Sequence, residues 1–392
     1  MNKPVINGMV FMGKKATIIT VCLNAEETIE RTIQSVIGRR SDLEYIVIDG
    51  SSTDHTIDIV RKYEDQIDVI ISEQDQGIYD AMNKGVERAS GDWISFLNSG
   101  DTYYDGYYEM LDQIETTDEI VYGNITVSDV GIKAKESKPF AQNEILFRMF
   151  CCHQAVIARK DLFEKVGFFD GRYRVAADYD WLLRAYLSGC RFRYEDRVFA
   201  HYLGGGVSEK NYTKYSDESV KIIRSNLRNN KRIEDVEYSK VISDLCDWKI
   251  MFRIRADLDD GKGERLIRTL EKEMQVAGYK GVALWGLGKW GMRFAGCLIE
   301  NKVPIEHFID RRAVEAEIVG ARIVSEYPEC LRGYKGIIVV SSIDERIVEE
   351  IKNSIKQEYS DETQILTLQE IGKKAFEEET VKLMEYLKRE HG

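Results

Sequence analysis

Apolar segments and amphipathic segments alternate along the first quarter of the chain. Continuous apolar and β-branched runs, typical of buried strands, lie at Ala16–Cys22, Glu44–Asp49, Ile67–Ser72 and Trp93–Leu97. Between these runs, apolar residues recur at spacings of three and four, which predicts one helix after each of the first three strands. Asn24, with Glu27 three residues later, is predicted to cap the first of these helices. Strands that alternate with single helices favour right-handed parallel crossovers, so the pattern predicts an α/β domain with a doubly wound sheet.

Polar turns follow two of the predicted strands. Asp49–Asp54 (DGSSTD) follows the second strand, and Asn98–Asp101 (NSGD) follows the fourth. Open α/β sheets bind ligands at the carboxyl ends of their strands, and both turns belong at that edge. Their oxygen atoms could hold a divalent cation and, with it, a diphosphate. The same residue types are also ordinary turn formers, and a structural role for each turn stays open.

A second α/β pattern begins near residue 280. Gly281–Leu287 is predicted to be a strand that enters a GxGxxG turn formed by Gly286, Gly288 and Gly291. Val303–Asp310 is the next predicted strand and ends in an acid about 20 residues after the glycines. Strand, glycine turn, helix, strand and acid together predict a small Rossmann-like domain. Its glycines and Asp310 form a candidate second nucleotide site, although a structural role for the glycines is the alternative.

The patterns divide the chain into five predicted segments. They are an N-terminal extension (1–14), an α/β domain (15–208), a charged helical region (209–279), the Rossmann-like domain (280–373) and a C-terminal helix (374–392). Within the helical region, Asp244–Arg255 mixes aromatic and basic residues. We expect this stretch to pack against another domain, the alternative being a peripheral contact with a membrane surface.

Composition excludes several classes of protein. The formal net charge of −12 argues against a nucleic-acid-binding protein. No apolar run approaches the ~20 residues that span a bilayer, and Val5–Met12 lacks the features of a secretory signal. The seven cysteines show no paired-ligand spacing, which favours reduced thiols and a cytoplasmic location.

Several motifs between Lys15 and Ser208 resemble those of the family 2 glycosyltransferases, which have the GT-A fold. The matching pieces occur in the family's order and read TIITVCLNAEETIERTIQSV, IVIDGSSTD, QDQGIYDAMNKGVERASGDWISFLNSGD, CCHQAVIARKDLFEKVGFFD, VAADYDWLLR and GGGVS. The third piece is similar to the branch that builds bacterial surface polysaccharides. The resemblance covers about half of the chain.

The resemblance implies an inverting sugar transfer from a nucleotide-sugar, with UDP as the expected nucleotide and Mn²⁺ or Mg²⁺ as the expected cofactor. The implied acceptor is a glycan or a lipid-linked saccharide. The implied donor-binding residues are Val21, Leu23, Asn24, Asp49, Ser51, Gly77, Asp80, Asn98, Ser99, Gly100 and His153. Asp101 and His201 are the implied metal ligands. The chain departs from the family's acidic DxD-type motif, because Gly100 replaces one Asp and Asn98 stands in for another acid.

The segment VAADYDWLLR matches the family motif that supplies the catalytic base. On this match Asp178 is the general base and Asp180 is the second choice, while Ala177 replaces the Glu of the family motif. Local sequence alone favours simple capping of a helix by these carboxylates. One carboxylate suffices to deprotonate an attacking hydroxyl, so the missing Glu does not exclude catalysis.

Two other functions compete with an active transferase. The altered acidic motif favours a non-catalytic protein that binds nucleotide-sugars or acts as a scaffold. The GxGxxG turn favours a nicotinamide-dependent oxidoreductase, but no catalytic Tyr–Lys or Cys–His pair accompanies that turn. The presence of Asp178 and His153 at the family's positions favours the transferase.

Overall fold

A computed structural model describes residues 5–6, 9–10, 15–128, 134–206, 210–227, 230, 235–312, 314–342, 345–359 and 363–388. The chain divides into two compact units, Met1–Tyr238 and Ser239–Gly392. Most of the predicted N-terminal extension, and the Val-Ser pair that ends the GGGVS motif, lie outside the described residues. The five predicted segment boundaries stay predictions.

The first unit contains a small hairpin and a large mixed sheet. Its strands are β1 (Val5–Ile6), β2 (Met9–Val10), β3 (Ala16–Cys22), β4 (Leu43–Asp49), β5 (Val69–Ser72), β6 (Trp93–Phe96), β7 (Thr102–Tyr103), β8 (Ile120–Ser128), β9 (Lys135–Ser137), β10 (Val156–Arg159) and β11 (Phe192–Leu203). Within the described part of the chain, β1 pairs with β2. The other nine strands form one sheet in the order β5-β4-β3-β6-β10-β8-β11-β7, with β9 paired to β8.

The helices of the first unit connect these strands. They are α1 (Ile29–Val36), α2 (Thr56–Arg61), α3 (Ile78–Arg88), α4 (Asp105–Gln113), α5 (Asp161–Val166), α6 (Ala177–Leu187) and α7 (Tyr212–Leu227). Short 3₁₀ turns lie at Glu64–Gln66, Gln142–Leu146 and His153–Ala155.

The predicted α/β fold is confirmed, and its large sheet is mixed. Strands β5, β4, β3 and β6 are parallel, and β10 is antiparallel to both of its neighbours. The residues of β3 and β4 are buried along their whole length, as their unbroken apolar runs predict. The segment Gln142–Leu146 is a 3₁₀ turn, and β11 runs through His201 to Leu203.

The second unit is built on a parallel sheet. Its elements are α8 (Asp235–Asp259, which crosses the division between the units), α9 (Glu264–Ala277), β12 (Val282–Trp285), α10 (Lys289–Glu300), β13 (Ile305–Ile309), β14 (Glu315–Ile318), β15 (Ala321–Val324), β16 (Ile337–Val340), α11 (Glu345–Ser354), β17 (Gln364–Thr367), α12 (Leu368–Ala375) and α13 (Glu377–Lys388). Strands β13-β12-β16-β17 are parallel in that order, and β14 and β15 form a separate hairpin. A 3₁₀ turn at Pro328–Leu331 and a π-helical turn at Ile355–Tyr359 complete it.

The aromatic and basic stretch Asp244–Arg255 lies within α8. Ile250, Ile254 and Leu258 are buried in the apolar core of the second unit. The apolar face of α8 is therefore packed in protein, as we expected of this stretch. None of the described helices is both long and apolar enough to cross a membrane.

Candidate functional site

Three parallel strands end side by side at one edge of the large sheet. β3 pairs with β4 on one side and with β6 on the other, so that Cys22 lies opposite Asp49. The turns that follow these strands therefore share this edge. Leu23 lies there with 56% of its surface exposed, although it directly follows a buried strand. An exposed apolar side chain in this place can pack against a base or a sugar.

Asn24 does not cap the first helix, because α1 begins only at Ile29. Its side-chain Oδ1 instead accepts a hydrogen bond from the Thr53 N–H at 2.9 Å, and its own N–H donates to Ser52 Oγ at 2.8 Å. These bonds fasten the turn after β3 to the turn after β4. Long-range partners have therefore overridden a local capping pattern.

Asp49 is completely buried at the end of β4. Its carboxylate accepts hydrogen bonds from the N–H and hydroxyl of Ser52, and from the Ser72 hydroxyl at 2.6 Å. Asp49 thus shapes the turn from beneath. A direct bond from Asp49 to a nucleoside would require a serine hydroxyl to leave it. Ser51, which has a φ of 64°, and Leu23 are exposed members of the predicted donor-binding set.

Asp101 is held rigidly at the end of the acidic turn. It is 3% exposed, and its two oxygens accept hydrogen bonds from Gln154 Nε2 at 2.7 Å and from the Leu203 N–H at 2.9 Å. Burial raises the pKa of the Asp101 carboxyl to about 6, against the opposing effect of these two bonds. The group is therefore largely ionised at neutral pH.

The backbone conformation at position 100 explains why glycine replaces the aspartate of the family's acidic motif. Gly100 has a φ of 100°, a conformation in which any other L-residue is strained. Thr32 fixes this conformation, because its hydroxyl accepts from the Gly100 N–H at 2.9 Å and donates to the Asp101 carbonyl at 2.8 Å. An aspartate at position 100 would not suit the turn as it is built here. Ser99 is anchored in turn through its N–H to the Val21 carbonyl.

The turn offers oxygen ligands that fit a divalent cation. Asn98 Oδ1 is buried and has no hydrogen-bond partner among the described residues, and the Asp101 carboxylate lies three residues further on. Asp101 belongs to no described cluster of three His, Cys, Asp or Glu ligands. Mg²⁺ commonly takes one or two carboxylates and completes its shell with phosphate and water, so this small donor set suits such an ion.

His201 does not lie free for a metal. Its Nδ1 is 2.8 Å from Thr126 Oγ1, and its Nε2 is 3.0 Å from Ser128 Oγ. Both ring nitrogens are therefore used within the sheet, and burial lowers the pKa of the imidazole. Metal binding by His201 would require the ring to leave these hydroxyls.

His153 connects the acidic turn to the predicted catalytic helix. Its Nε2 lies 3.1 Å from Asn98 Nδ2, and its Nδ1 lies 3.2 Å from Asp178 Oδ2. The ring is placed there because β10, which starts at Val156, runs antiparallel to β6 and so begins where β6 ends. One imidazole therefore joins the two halves of the site that the sequence predicts separately.

Asp178 lies in the first turn of α6 with 15% of its side chain exposed. Tyr79 donates its hydroxyl to Asp178 Oδ1 at 2.8 Å. Burial raises the pKa of Asp178, but the hydrogen bond and charge of His153, together with the Tyr79 bond, outweigh it and hold that pKa below its ordinary value. The carboxylate is thus kept ionised and oriented, as a general base must be.

Asp180 has a different role from Asp178. Its carboxylate accepts from Arg184 Nε at 2.8 Å and from Asn226 Nδ2 at 3.0 Å, and only 4% of its side chain is exposed. The arrangement ties α6 to α7. Asp180 is therefore placed to stabilise the helix pair, whereas Asp178 faces His153.

Gly77 and Asp80 shape the start of α3, the helix that carries Tyr79. Gly77 precedes this helix with a φ of 119°, and Asp80 Oδ2 accepts from the Gln76 N–H at 3.0 Å. Asp80 also lies 3.4 Å from Lys84 Nζ. These contacts fix the helix end from which Tyr79 reaches Asp178. No pattern in the sequence indicates this role, since Tyr79 fits an ordinary position in an amphipathic helix.

Glu218 on α7 holds the segment just before Asp178. Its buried carboxylate accepts hydrogen bonds from three consecutive backbone N–H groups, those of Arg174, Val175 and Ala176, at 2.9 to 3.1 Å. Sequence reasoning missed Glu218 because it belongs to a charged helix that reads as solvated. The available signal was its spacing from the apolar residues Val220, Ile222 and Ile223 of the buried face.

Replacing Glu218 with Gln is expected to lower turnover roughly tenfold and the free energy of unfolding by about 1–3 kcal/mol, the cost of leaving buried donors unsatisfied. A carboxamide has one acceptor oxygen, whereas three N–H groups need acceptors. Steady-state kinetics and thermal unfolding measure both effects. Lys221→Gln on the exposed side of the same helix is the control. Unchanged turnover in a Glu218→Gln variant would contradict a positioning role.

The candidate second nucleotide site has a compact glycine turn. A Cβ at Gly291 would lie 1.8 Å from the Gly286 carbonyl oxygen, so position 291 requires glycine for packing. The Asp310 carboxylate accepts from the Leu287 N–H at 2.9 Å and from the Arg312 N–H at 3.0 Å. Asp310 therefore binds the glycine turn itself in this arrangement. Gly288 has open space beside it, and nucleotide binding here stays a prediction.

Comparisons with known proteins match part of the chain, and the family model lies within the first unit. The family model described as Glycosyl transferase family 2 matches residues 17–169. The PGL/p-HBAD biosynthesis glycosyltransferase of Mycobacterium bovis (strain BCG / Pasteur 1173P2) is 30% identical over 221 residues, which cover 53% of this chain and 85% of the relative. The putative teichuronic acid biosynthesis glycosyltransferase TuaG of Bacillus subtilis (strain 168) is 38% identical over 91 residues, which cover 22% of this chain and 36% of the relative.

A solved structure is also similar to part of the chain. The crystal structure of S. aureus TarS superposes with a TM-score of 0.48 and 17% identity, over 59% of this chain and 43% of that chain. The present chain thus spans less than half the length of the TarS chain.

Proposed function

The chain belongs to glycosyltransferase family 2, and from that premise we propose that it is an inverting enzyme. It transfers a sugar from a nucleotide-sugar, with UDP as the nucleotide, to a hydroxyl of a glycan or lipid-linked saccharide. The class of enzyme follows from the family. The acceptor class is supported by relatives whose names place them in PGL/p-HBAD and teichuronic acid biosynthesis.

The observation that carries the proposal is the bridge made by His153. It spans from Asn98, beside the turn that would face the diphosphate, to Asp178, through contacts of 3.1 and 3.2 Å. A single displacement needs a base on one side of the anomeric carbon and the leaving group on the other. The bridge supports such an arrangement, because it fixes a carboxylate and the acidic turn relative to each other.

The proposed step is a direct displacement at the anomeric carbon. The acceptor hydroxyl loses its proton to Asp178 as its oxygen bonds to the anomeric carbon. The bond from that carbon to the diphosphate oxygen breaks, and its electron pair leaves with the nucleoside diphosphate. Tyr79 and His153 hold the Asp178 carboxylate through its two oxygens, which limits its motion during proton transfer.

The donor is proposed to lie along the edge formed by the ends of β3, β4 and β6. Leu23 and Ser51 face the nucleoside there, and Asn98 and Asp101 face the diphosphate. A divalent cation bound by Asp101 and Asn98 would neutralise charge on the diphosphate leaving group. His153 would then contact the donor side of the site while orienting the base.

Thermal unfolding in the presence of nucleotide-sugars tests the proposed function. A donor present at a free concentration of about 100 times its Kd stabilises the folded state by about 2.7 kcal/mol. This stabilisation should raise Tm by several degrees. We expect UDP-sugars to do this more strongly than GDP- or TDP-sugars, and more strongly with Mn²⁺ than with EDTA. Release of UDP on addition of a saccharide acceptor measures the transfer itself.

The outcomes separate the competing functions. Stabilisation without any UDP release, across donors and acceptors, would favour a non-catalytic binding protein. Stabilisation by NADH alone would favour an oxidoreductase. A larger rise in Tm with GDP-sugars would still support a transferase, but it would contradict UDP as the nucleotide of the donor.

A further inference from the structure

Three side chains of different ligand chemistry meet at the edge of the second unit's sheet. They are His307 on the edge strand β13, Glu326 beside it, and Cys330 in the 3₁₀ turn Pro328–Leu331. Among the residues that the structure describes, they are the one group of three or more His, Cys, Asp or Glu whose ligand atoms all lie within 4.8 Å of one another. His307 Nδ1 is 3.1 and 3.2 Å from the two oxygens of Glu326.

The backbone holds these three side chains in place. The Glu326 N–H donates to the Phe308 carbonyl at 2.6 Å, and the Glu326 carbonyl accepts from the Asp310 N–H at 3.3 Å. Glu326 thus lies against β13 next to His307. Cys330 is a free thiol that packs partly against the apolar cluster around Ile309. The cluster therefore rests on a buried core and opens to solvent on one side.

We propose that His307, Glu326 and Cys330 bind a thiophilic divalent cation of the Zn²⁺ class, with a remaining position open to water or another ligand. An imidazole nitrogen, a thiolate and a carboxylate oxygen are the three ligand types that Zn²⁺ takes in proteins. Sulfur and nitrogen ligands do not suit Mg²⁺ or Ca²⁺, which require oxygen. This site is separate from the acidic turn of the first unit in both residues and ligand chemistry.

The geometry needs only a small adjustment to bind the ion. Zinc bonds of about 2.0–2.3 Å, in tetrahedral arrangement, set ligand atoms roughly 3.3–3.8 Å apart. The His307–Glu326 separation already lies close to this range, and all three ligand atoms lie within 4.8 Å of one another, so no pair is more than about an ångström beyond it. The Glu326 side chain is 45% exposed, which leaves it room to turn toward an ion.

Cobalt binding to the full-length protein tests the proposal. Co²⁺ replaces Zn²⁺ in such sites, and a thiolate ligand gives a charge-transfer band in the near ultraviolet. We expect one Co²⁺ per chain to produce this band, and Zn²⁺ to displace it. Cys330→Ser should remove the band, and His307→Gln should weaken Co²⁺ binding by roughly 100-fold, the upper end of what loss of a supporting residue costs in other sites.

His55→Gln is the matched control. His55 Nδ1 lies 3.2 Å from Asp58, a similar imidazole–carboxylate pair without a thiol. We expect this variant to bind Co²⁺ like the unaltered protein. Equal loss of binding in the His55 and His307 variants would overturn the assignment.

A measurement on the unaltered chain tests the site without relying on variants, which could fail to fold. Zn²⁺ should slow alkylation of Cys330 by iodoacetamide, located by peptide mass spectrometry, whereas Mg²⁺, which requires oxygen ligands, should leave it unchanged. Equal alkylation of Cys330 with and without Zn²⁺, or a cobalt band that survives in Cys330→Ser, would refute the site.

Discussion

Replacing Asp178 with Asn is expected to lower turnover by roughly 10²–10⁴-fold while leaving donor affinity almost unchanged. The variant keeps the size of the side chain but cannot accept the proton of the acceptor hydroxyl. Its carboxamide can still meet Tyr79 and His153, so the surroundings of the site should persist. Steady-state kinetics and calorimetric binding of UDP separate the two effects.

Asp180→Asn is the matched control two residues along the same helix. We expect turnover per folded molecule to persist and stability to fall, because the partly buried Arg184 loses its carboxylate partner. Loss of a hydrogen bond to a charged group costs about 1.5–3 kcal/mol. If the Asp180 variant were inactive but fully folded, and the Asp178 variant active, the two roles would be reversed. If both variants kept full activity, the general base would be a residue other than Asp178 or Asp180.

The pH profile gives a further check on Asp178. Because the pKa of Asp178 is held below its ordinary value, the carboxylate stays ionised well into the acidic range. Turnover at saturating substrate should therefore show no loss from this group between neutral pH and about pH 5. A loss of turnover in that range that vanished in the Asp178 variant would contradict the assignment.

Replacing Asp101 with Asn is expected to remove the Mn²⁺-dependent part of donor affinity, a loss of about 100-fold or more. Asp101 is the one carboxylate of the turn Asn98–Asp101, and an amide oxygen is a far weaker ligand for a hard cation. Calorimetry of UDP binding with Mn²⁺ and with EDTA measures the difference. Equal gains from Mn²⁺ in the variant and in the unaltered protein would refute the assignment.

Asp105→Asn controls for the loss of a charge near the same turn. Asp105 is largely exposed and pairs with Arg39, so its loss should leave UDP affinity unchanged. Asp101→Asn also needs a stability measurement, because its amide group would face a donor, Gln154 or the Leu203 N–H. A mismatch of this kind costs about 1–3 kcal/mol.

The sheet was predictable because its strands carry an unambiguous signal. β3 coincides with the predicted strand, and β4 begins one residue earlier than predicted. Both are buried on two faces, which requires the unbroken apolar runs that the sequence shows. The turns after them could be assigned to one edge, since parallel strands end together.

The separate parts of the site were predictable, but their connections were not. Asn98, His153 and Asp178 were each identified as candidate site residues because they lie in a sequence motif. The bonds that join them span 55 residues from Asn98 to His153, a separation over which local sequence carries no signal. The role of Tyr79 was missed for the same reason, since its phenol meets Asp178 across 99 residues of sequence.

Asn24 and His201 show how a local pattern misleads. Asn24 satisfies the capping pattern, but Thr53 offers a partner across the turn, and the helix starts later. His201 was predicted to be a metal ligand. It lies inside β11, where Thr126 and Ser128 occupy its nitrogens. In both cases a partner distant in sequence decided the outcome.

The hydrogen bonds between Glu218 and the segment before Asp178 cannot form until both partners have been synthesised. The ribosome makes residue 174 before residue 218, 44 positions earlier. At about 5–20 residues per second, this interval lasts roughly 2–9 s. The parallel strands β3 to β6 are all translated before this interval begins, and β11 is translated during it. The segment leading into Asp178 can therefore gain its final anchor only after α7 has been translated.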